Sequence, residues 1–402
     1  MLVLSTRFKF RFLCLLILFC SSLAQSVELS YLSQTILPYK MNFAKTKIGG
    51  LSGLYYDSKT DVLYAISDDR GNVNEPRFYQ FKIKINEKNN ISIEPTAVTF
   101  LNVNKSALAH QSTRSATRSF SAVLDLEGIS MAPWGDMLIT NEGDMNHKPR
   151  VEPQLIDVKT DGTIVKKFEI PDQFLPEIVG VQKKGVQNNL AFEGLSANPN
   201  GRQWLVAGEA PLLQDDSHYV RFIEYTSPEA WVLKPGRQWA YAFDFESGNH
   251  DSSRLPDSVD VQSAQDVKKS LVLQKGISEI LFIDEHQLLV LERGAQISTA
   301  GLAFTAEIYL TDIAAAEVTD ISSWPQIPLQ NKEKDLKALK RELLLDFATL
   351  KTKVVIDNFE GMTLGPLLAD GRQTVIMVSD DNFSKQQKTV FLLFAISKNH
   401  SK

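Results

Sequence analysis

Acidic residues recur along this chain in one setting, at the ends of short apolar runs. "YAISDDRG" (Tyr64 to Gly71) and "IMVSDDNF" (Ile376 to Phe383) both finish on Ser-Asp-Asp, giving Asp68 and Asp69 in one and Asp380 and Asp381 in the other. Between them, "LITNEGD", "LVAGEA" and "LLVLERG" end on Glu142, Glu209 and Glu292. A second set precedes each run: Glu127, Glu193 and Glu360 stand before a glycine, Glu279 follows Ser278, and Ser52-Gly53 takes that place in the first unit. Carboxylates gathered in one place resist ionisation unless something offsets their charge. A hard divalent cation such as Ca²⁺ does so by taking about six to eight oxygen ligands. The expected cation ligands are therefore Asp68, Asp69, Glu127, Glu193, Glu279, Glu292, Glu360, Asp380 and Asp381. Glu142 or Glu209, with a pKa raised by its neighbours, is the expected general base. Arg70, Arg77, Arg221 and Arg293 lie within or just after the repeats and suit capture of a phosphate or carboxylate. The competing reading of each single acid is a turn holder that accepts backbone N–H groups.

The elements that must bring these residues together form a repeat. Units begin at Gly49, Asp125, Phe192, Gly276 and Phe359, and each pairs two apolar runs across a turn rich in Asp, Asn or Gly, the pattern of antiparallel strands. Further strand-like runs follow: "PRFYQFKIKI", "PQLIDVKTDGTIVKKFEI", "YVRFIEYT" with "QWAYAFDF", "AEIYLTDI" and "KTVFLLFAI". Each unit thus reads as a small four-stranded meander, and radial repetition of such meanders is an all-β propeller. Five blades are readable. The spacing exceeds the roughly 40 to 50 residues of compact propeller repeats, which leaves room for a sixth. The last unit is short of strands, and "VELSYLSQTIL" (Val27 to Leu37) is expected to pair with it and close the ring. A pair of β-sandwiches accounts for the strands but not for acids at the same two places in every repeat. Two polar stretches, 102–121 and 249–266, read as loops. In 332–350, Leu336, Leu339, Leu343 and Phe347 fall at helical spacing, so one inserted helix is expected there.

Composition sets outer bounds. Of 402 residues, 43% are hydrophobic and 23% charged, ordinary for a chain that buries a core. Arg7, Lys9 and Arg11 precede the apolar "FLCLLILF" and the small residues Ser22-Leu23-Ala24, the pattern of a cleaved secretory signal over 1–24, leaving 25–402 as one propeller domain. A lipidated Cys20 is the alternative, with bulky Phe19 against it. Both cysteines, Cys14 and Cys20, lie in that segment, so the mature chain has no disulfide, thiol nucleophile or Cys-zinc site. The net charge is −5, and loss of a segment with three basic residues and no acid makes the mature chain more acidic. Such a chain does not bind nucleic acid by bulk charge, and no later segment is apolar enough to span a membrane. G-x-S-x-G, H-E-x-x-H and P-loop motifs are absent, and the six histidines are scattered.

Taken in order, "IGGLSGLYYD…LYAISDDRG…PRFYQFKI", "DLEGIS…NEGD", "FEGLSANPNG…VAGEAPLLQD", "GISEILFID…LLVLERG" and "NFEGMTLGP…SDDNFSKQQKTVFLLFAI" resemble the phytase-like domain, the esterase-like activity of phytase family of exported bacterial proteins. The likeness runs from about Ile48 to Ile396. It implies a β-propeller, a periplasmic or extracellular location, and hydrolysis of a phosphoric or other ester with Ca²⁺ at a carboxylate-rich mouth. The expected partner is a small ester or phosphorylated molecule. A binding propeller with structural calcium, and a carboxylesterase or lactonase, are the alternatives.

Overall fold

The structure, a computed structural model, describes residues 25–102, 124–243, 271–298, 301–315, 317–328 and 335–400. The expected signal segment and, Asn102 apart, both expected polar loops lie outside these residues. Strands run in chain order as β1 (Gln25–Ile36), β2 (Asn42–Phe43), β3 (Thr46–Lys47), β4 (Leu51–Asp57), β5 (Val62–Ser67), β6 (Arg77–Ile85), β7 (Ile91–Phe100), β8 (Leu126–Met131), β9 (Met137–Asn141), β10 (Gln154–Val158) and β11 (Ile164–Lys167). They continue as β12 (Phe192–Ala197), β13 (Gln203–Gly208), β14 (Tyr219–Thr226), β15 (Lys234–Ala242), β16 (Leu271–Phe282), β17 (Gln287–Ser298), β18 (Gly301–Asp312), β19 (Glu342–Asp346), β20 (Asn358–Leu364), β21 (Gln373–Asp380) and β22 (Val390–His400).

These make five four-stranded antiparallel blades: β4–β7, β8–β11, β12–β15, β16–β19, and β20–β22 completed by β1. The N-terminal strand pairs antiparallel with the C-terminal one, from Gln25 opposite His400 to Ile36 opposite Val390. One apolar cluster lies between each pair of neighbouring blades, for example Tyr64, Ile66 and Phe78 against Leu126, Ile139 and Ile156 between blades 1 and 2. Burial of both faces of every blade explains why the inner strands read as continuous apolar runs.

The expected helix over 332–350 does not form. Glu342–Asp346 is β19, Phe347–Leu350 is a single 3₁₀ turn capped by Asp346, and 332–334 lie outside the described residues. The spacing of the leucines matches a helix, but β18 offers an edge that needs a partner. Leu345 pairs with Ile308 in the sheet, the Leu339 N–H donates to the Ala240 carbonyl at 2.8 Å, and Leu343 is left exposed. Tertiary pairing overrides local propensity here.

The inner strands β4, β8, β12, β16 and β20 pack side by side around the axis. A Cβ on Gly128 would lie 2.5 Å from the Glu193 carbonyl oxygen, and one on Gly361 would lie 2.2 Å from that of Ser52. Only hydrogen leaves room for such an approach. Blade 4 breaks the rule. Its ladder sets Ile277 opposite Glu292, as blade 2 sets Leu126 opposite Asn141, so Ser278-Glu279 aligns with Glu127-Gly128. Glu279 therefore occupies a glycine position. Its buried carboxyl accepts from the Leu195 N–H of blade 3 at 3.1 Å and its neighbour Ile280 N–H at 3.0 Å. Burial lifts its pKa well above the ordinary range against those N–H groups and that of Met362 in blade 5.

Glu279→Ala leaves an axial void and orphaned N–H groups, so urea unfolding should show a loss of about 3 kcal/mol or more, while Glu279→Gln stays within about 1 kcal/mol. In blade 2, buried Asp157 and Asp136 each leave one oxygen without a hydrogen-bond donor. Burial raises Asp157 to about 6, with the Trp134 indole opposing and Asp136 adding to the rise. The unfolded value lies near ~3.9. The folded chain thus holds an extra proton, and that stability is full at low pH and lost as pH rises through about 6. Asp157→Asn should flatten this dependence and raise the melting temperature at neutral pH by roughly 2–4 °C; an unchanged profile would count against the extra proton on Asp157.

Candidate functional site

In four blades the inner strand starts and the second strand ends at the same mouth of the channel, and in blade 4 the pair β16–β17 runs on past it. Register defines the equivalent positions. Leu51, Leu126, Phe192, Ile277 and Phe359 sit opposite Ser67, Asn141, Gly208, Glu292 and Ser379. The residues one step further on are Asp68, Glu142, Glu209, Arg293 and Asp380. The ring is thus four acids and one arginine. Inside it stand Ser52, Glu127, Glu193, Ser278 and Glu360, one step along each inner strand.

Two overlapping trios form the densest part. One carboxylate oxygen from each of Glu127, Glu142 and Glu193 lies within 4.8 Å of the others, and the same holds for Asp68, Asp125 and Glu127. Glu127, Glu142, Glu193 and Asp125 are buried, and Asp68 is the partly open member. Burial, then Glu193 and Asp68, lifts Glu127 well above the carboxylate range. Burial, then Glu209 and Glu142, does the same to Glu193. Glu142 is raised by burial and by Glu209 to about 8, although one oxygen accepts the Ala191 N–H. Glu193 keeps an oxygen, Oε2, that is buried with no hydrogen-bond partner. A buried, multiply acidic cluster with an unpartnered oxygen fits a hard divalent cation.

Two arginines bracket the trios. Arg70, with its side chain 39% exposed, grips Asp125 through Nε at 2.7 Å and Nη2 at 2.6 Å and also meets Asn189. Even so, burial and the neighbours Asp68 and Glu142 hold Asp125 well above its usual range. Arg293 is buried between Glu209 at 3.0 Å and Glu360 at 3.3 Å. Burial works against its charge, and the surrounding glutamates outweigh burial and keep it protonated. Burial raises Glu360 to about 7 even with Arg293 beside it, and burial and Glu360 hold Asp380 well above its usual range.

The remaining sequence candidates lie elsewhere. Glu292 points away from the ring, bonded to the Tyr241 hydroxyl at 2.9 Å, Arg341 at 2.8 Å and Lys275 at 3.2 Å. Glu279 serves the axis. Asp69 accepts from Gly71 and Asn74 N–H and pairs with Arg77, both side chains fully buried. Asp381 accepts from the Gly50 and Phe383 N–H groups. Arg221 is locked to Asp215 at 2.6 Å, again without exposure. Ser-Asp-Asp therefore divides its labour: the first Asp faces the mouth and the second ties the following turn. Asp125 and Asn189 were not among the sequence candidates. Asp125 precedes its inner strand where the other blades carry Gly50, Ala191, Gly276 and Asn358, so no repeat marks it.

This division is testable by denaturant unfolding. Asp69→Asn strands a buried guanidinium and should cost about 3–5 kcal/mol, whereas Asp68→Asn relieves crowding and should change stability by less than about 1 kcal/mol. Equal effects would refute it.

No curated protein matches the sequence. Among solved structures, the chain is similar to a luciferin-regenerating enzyme (12% identity, TM-score 0.35, covering 92% of this chain and 95% of that one). It is also similar to an exo-1,5-alpha-L-arabinanase from a bovine ruminal metagenomic library (9%, 0.38, covering 88% and 99%). A third is the periplasmic gluconolactonase of Pseudomonas aeruginosa (9%, 0.30, covering 84% and 83%). At these values none bears on the chemistry of the mouth. The family model described as "Phytase-like: Esterase-like activity of phytase" matches residues 46–383, which is most of the chain. The protein belongs to the phytase-like family.

Proposed function

We propose that this protein is an exported, divalent-cation-dependent ester hydrolase working at the acidic mouth, with calcium as the cation and a small phosphoric or carboxylic ester as substrate. The observation that carries the reading is the trio Glu127, Glu142 and Glu193, with its buried, unpartnered Glu193 oxygen. These three residues hold the cation. Once bound, such an ion polarises the ester oxygen and lowers the pKa of a coordinated water.

The chain's own groups do the rest. Asp68 is the most open acid of the cluster and takes the proton from the attacking water, in place of the more enclosed Glu142. Glu209, fully buried and held by Arg293, sets the charge around the site instead of moving a proton. Arg70, the exposed cation at the rim, anchors an anionic substrate group while steadying Asp125. The pattern over residues 1–24 supports export, and no helix among the described residues is long and apolar enough to cross a membrane.

The test uses residues 25–402 with phytate, p-nitrophenyl phosphate, p-nitrophenyl acetate and a lactone, each with Ca²⁺ and with chelator. Turnover of at least one ester is expected only with Ca²⁺. Glu193→Gln should reduce it by about 100-fold or more and abolish the Ca²⁺-induced rise in melting temperature that binding to the native state produces. A Ca²⁺-induced rise without turnover of any ester would make this a binding propeller with structural calcium. Absence of both would reject the site.

A further inference from the structure

At the opposite end of blades 2 and 3, far from the mouth in the path of the chain, two indoles meet on the surface. Trp134 sits at the tip of the β8–β9 turn, and Trp231 comes from the loop between β14 and β15. Their ring centroids are 5.6 Å apart and tilted by 31°. Trp231 is 48% exposed although tryptophan is a residue that folding normally covers. Its φ is +67°, a left-handed conformation that a bulky residue rarely adopts. Strain of this kind amounts to roughly 1–3 kcal/mol and persists where surrounding structure imposes it.

Blade 2 supplies that structure. Lys166 of β11 lies opposite Asp157 of β10. Its ammonium stands 5.7 Å from the Trp134 ring centre and 5.0 Å from that of Phe168, and it donates to the Trp231 carbonyl. The Trp134 Nε1–H reaches Asp157 at 3.4 Å, and Asp136 lies beside that carboxyl. The ledge is thus braced from below by a lysine and two acids and open above.

We propose that this ledge binds a neutral carbohydrate, with a pyranose ring stacked on the exposed indole of Trp231. The surroundings select that class. Lys166 occupies the cation position on Trp134 and donates to the Trp231 carbonyl, so its positive charge opposes a second cation on the ledge. Asp136, Asp157 and the nearby Asp161 disfavour an anion. A flat, uncharged ring with one apolar face and a rim of hydroxyls suits an indole next to Lys166 and these acids. The proposal stands apart from the chemistry of the mouth.

The experiment titrates the mature chain with cellohexaose, xylohexaose and maltohexaose, read by tryptophan fluorescence and saturation-transfer NMR. At least one should bind with a Kd of about 1 mM or tighter. Trp231→Gly, which relaxes the left-handed backbone, should weaken binding at least about tenfold without lowering the melting temperature. Trp231→Phe, which keeps a flat ring, should retain binding within about threefold. The proposal is overturned if no hexasaccharide binds, if Trp231→Gly binds like the parent, or if Trp231→Phe loses binding while remaining folded.

Discussion

The molecule rests on how closely its five inner strands approach one another. Backbone meets backbone at Gly53, Gly128, Gly194 and Gly361, at distances no side chain allows. That contact fixes the bore of the channel and the rotation between blades. It also forces each Glu-Gly or Ser-Gly pair into a register irregularity, seen between Leu126 and Ile129 and between Phe192 and Leu195. A bulge of this kind re-aims the side chain at its centre. Glu127, Glu193 and Glu360 reach the mouth because the glycines beside them cannot be anything larger.

Much of this was legible in the amino-acid sequence, and the limits have physical causes. Paired apolar runs ending in acids reveal strands, blades and the closing N-terminal strand, because alternation and turn chemistry are local signals. Blade 4 was misread by one residue. Glu292 looks like the strand-end acid, but pairing moves Arg293 into that place and Glu279 into a glycine's, and register is a property of two strands. The helix expected over 332–350 failed for the same reason, since β18 takes Leu345 as a strand neighbour. Asp125 stands at a position no other blade fills with an acid, so repetition could not mark it. Arg77 and Arg221 lie in matching blade positions, yet they are buried against Asp69 and Asp215 and turned away from the mouth acids, a distinction visible only once partners are placed.

The breaks in five-fold symmetry are what make the mouth chemically uneven. A ring of five equivalent acids would repel itself uniformly. Here Arg293 draws Glu209 and Glu360 to one side, Arg70 draws Asp125 to the other, and Glu127, Glu142 and Glu193 are left between them without a cation of their own among the described residues. Repetition supplies the scaffold, and two substitutions within it define a direction across the opening.

The pairing of β1 with β22 carries a consequence for how the chain is made. β1 must wait, without its partner in the blade, until β22 has been made. Blade 5 therefore cannot nucleate during synthesis, and its assembly requires closing a loop that spans nearly the whole polypeptide, the kind of non-local step that slows folding. The ring is thus latched by two strands from opposite ends of the sequence: parting β1 from β22 opens blade 5 and with it the whole propeller.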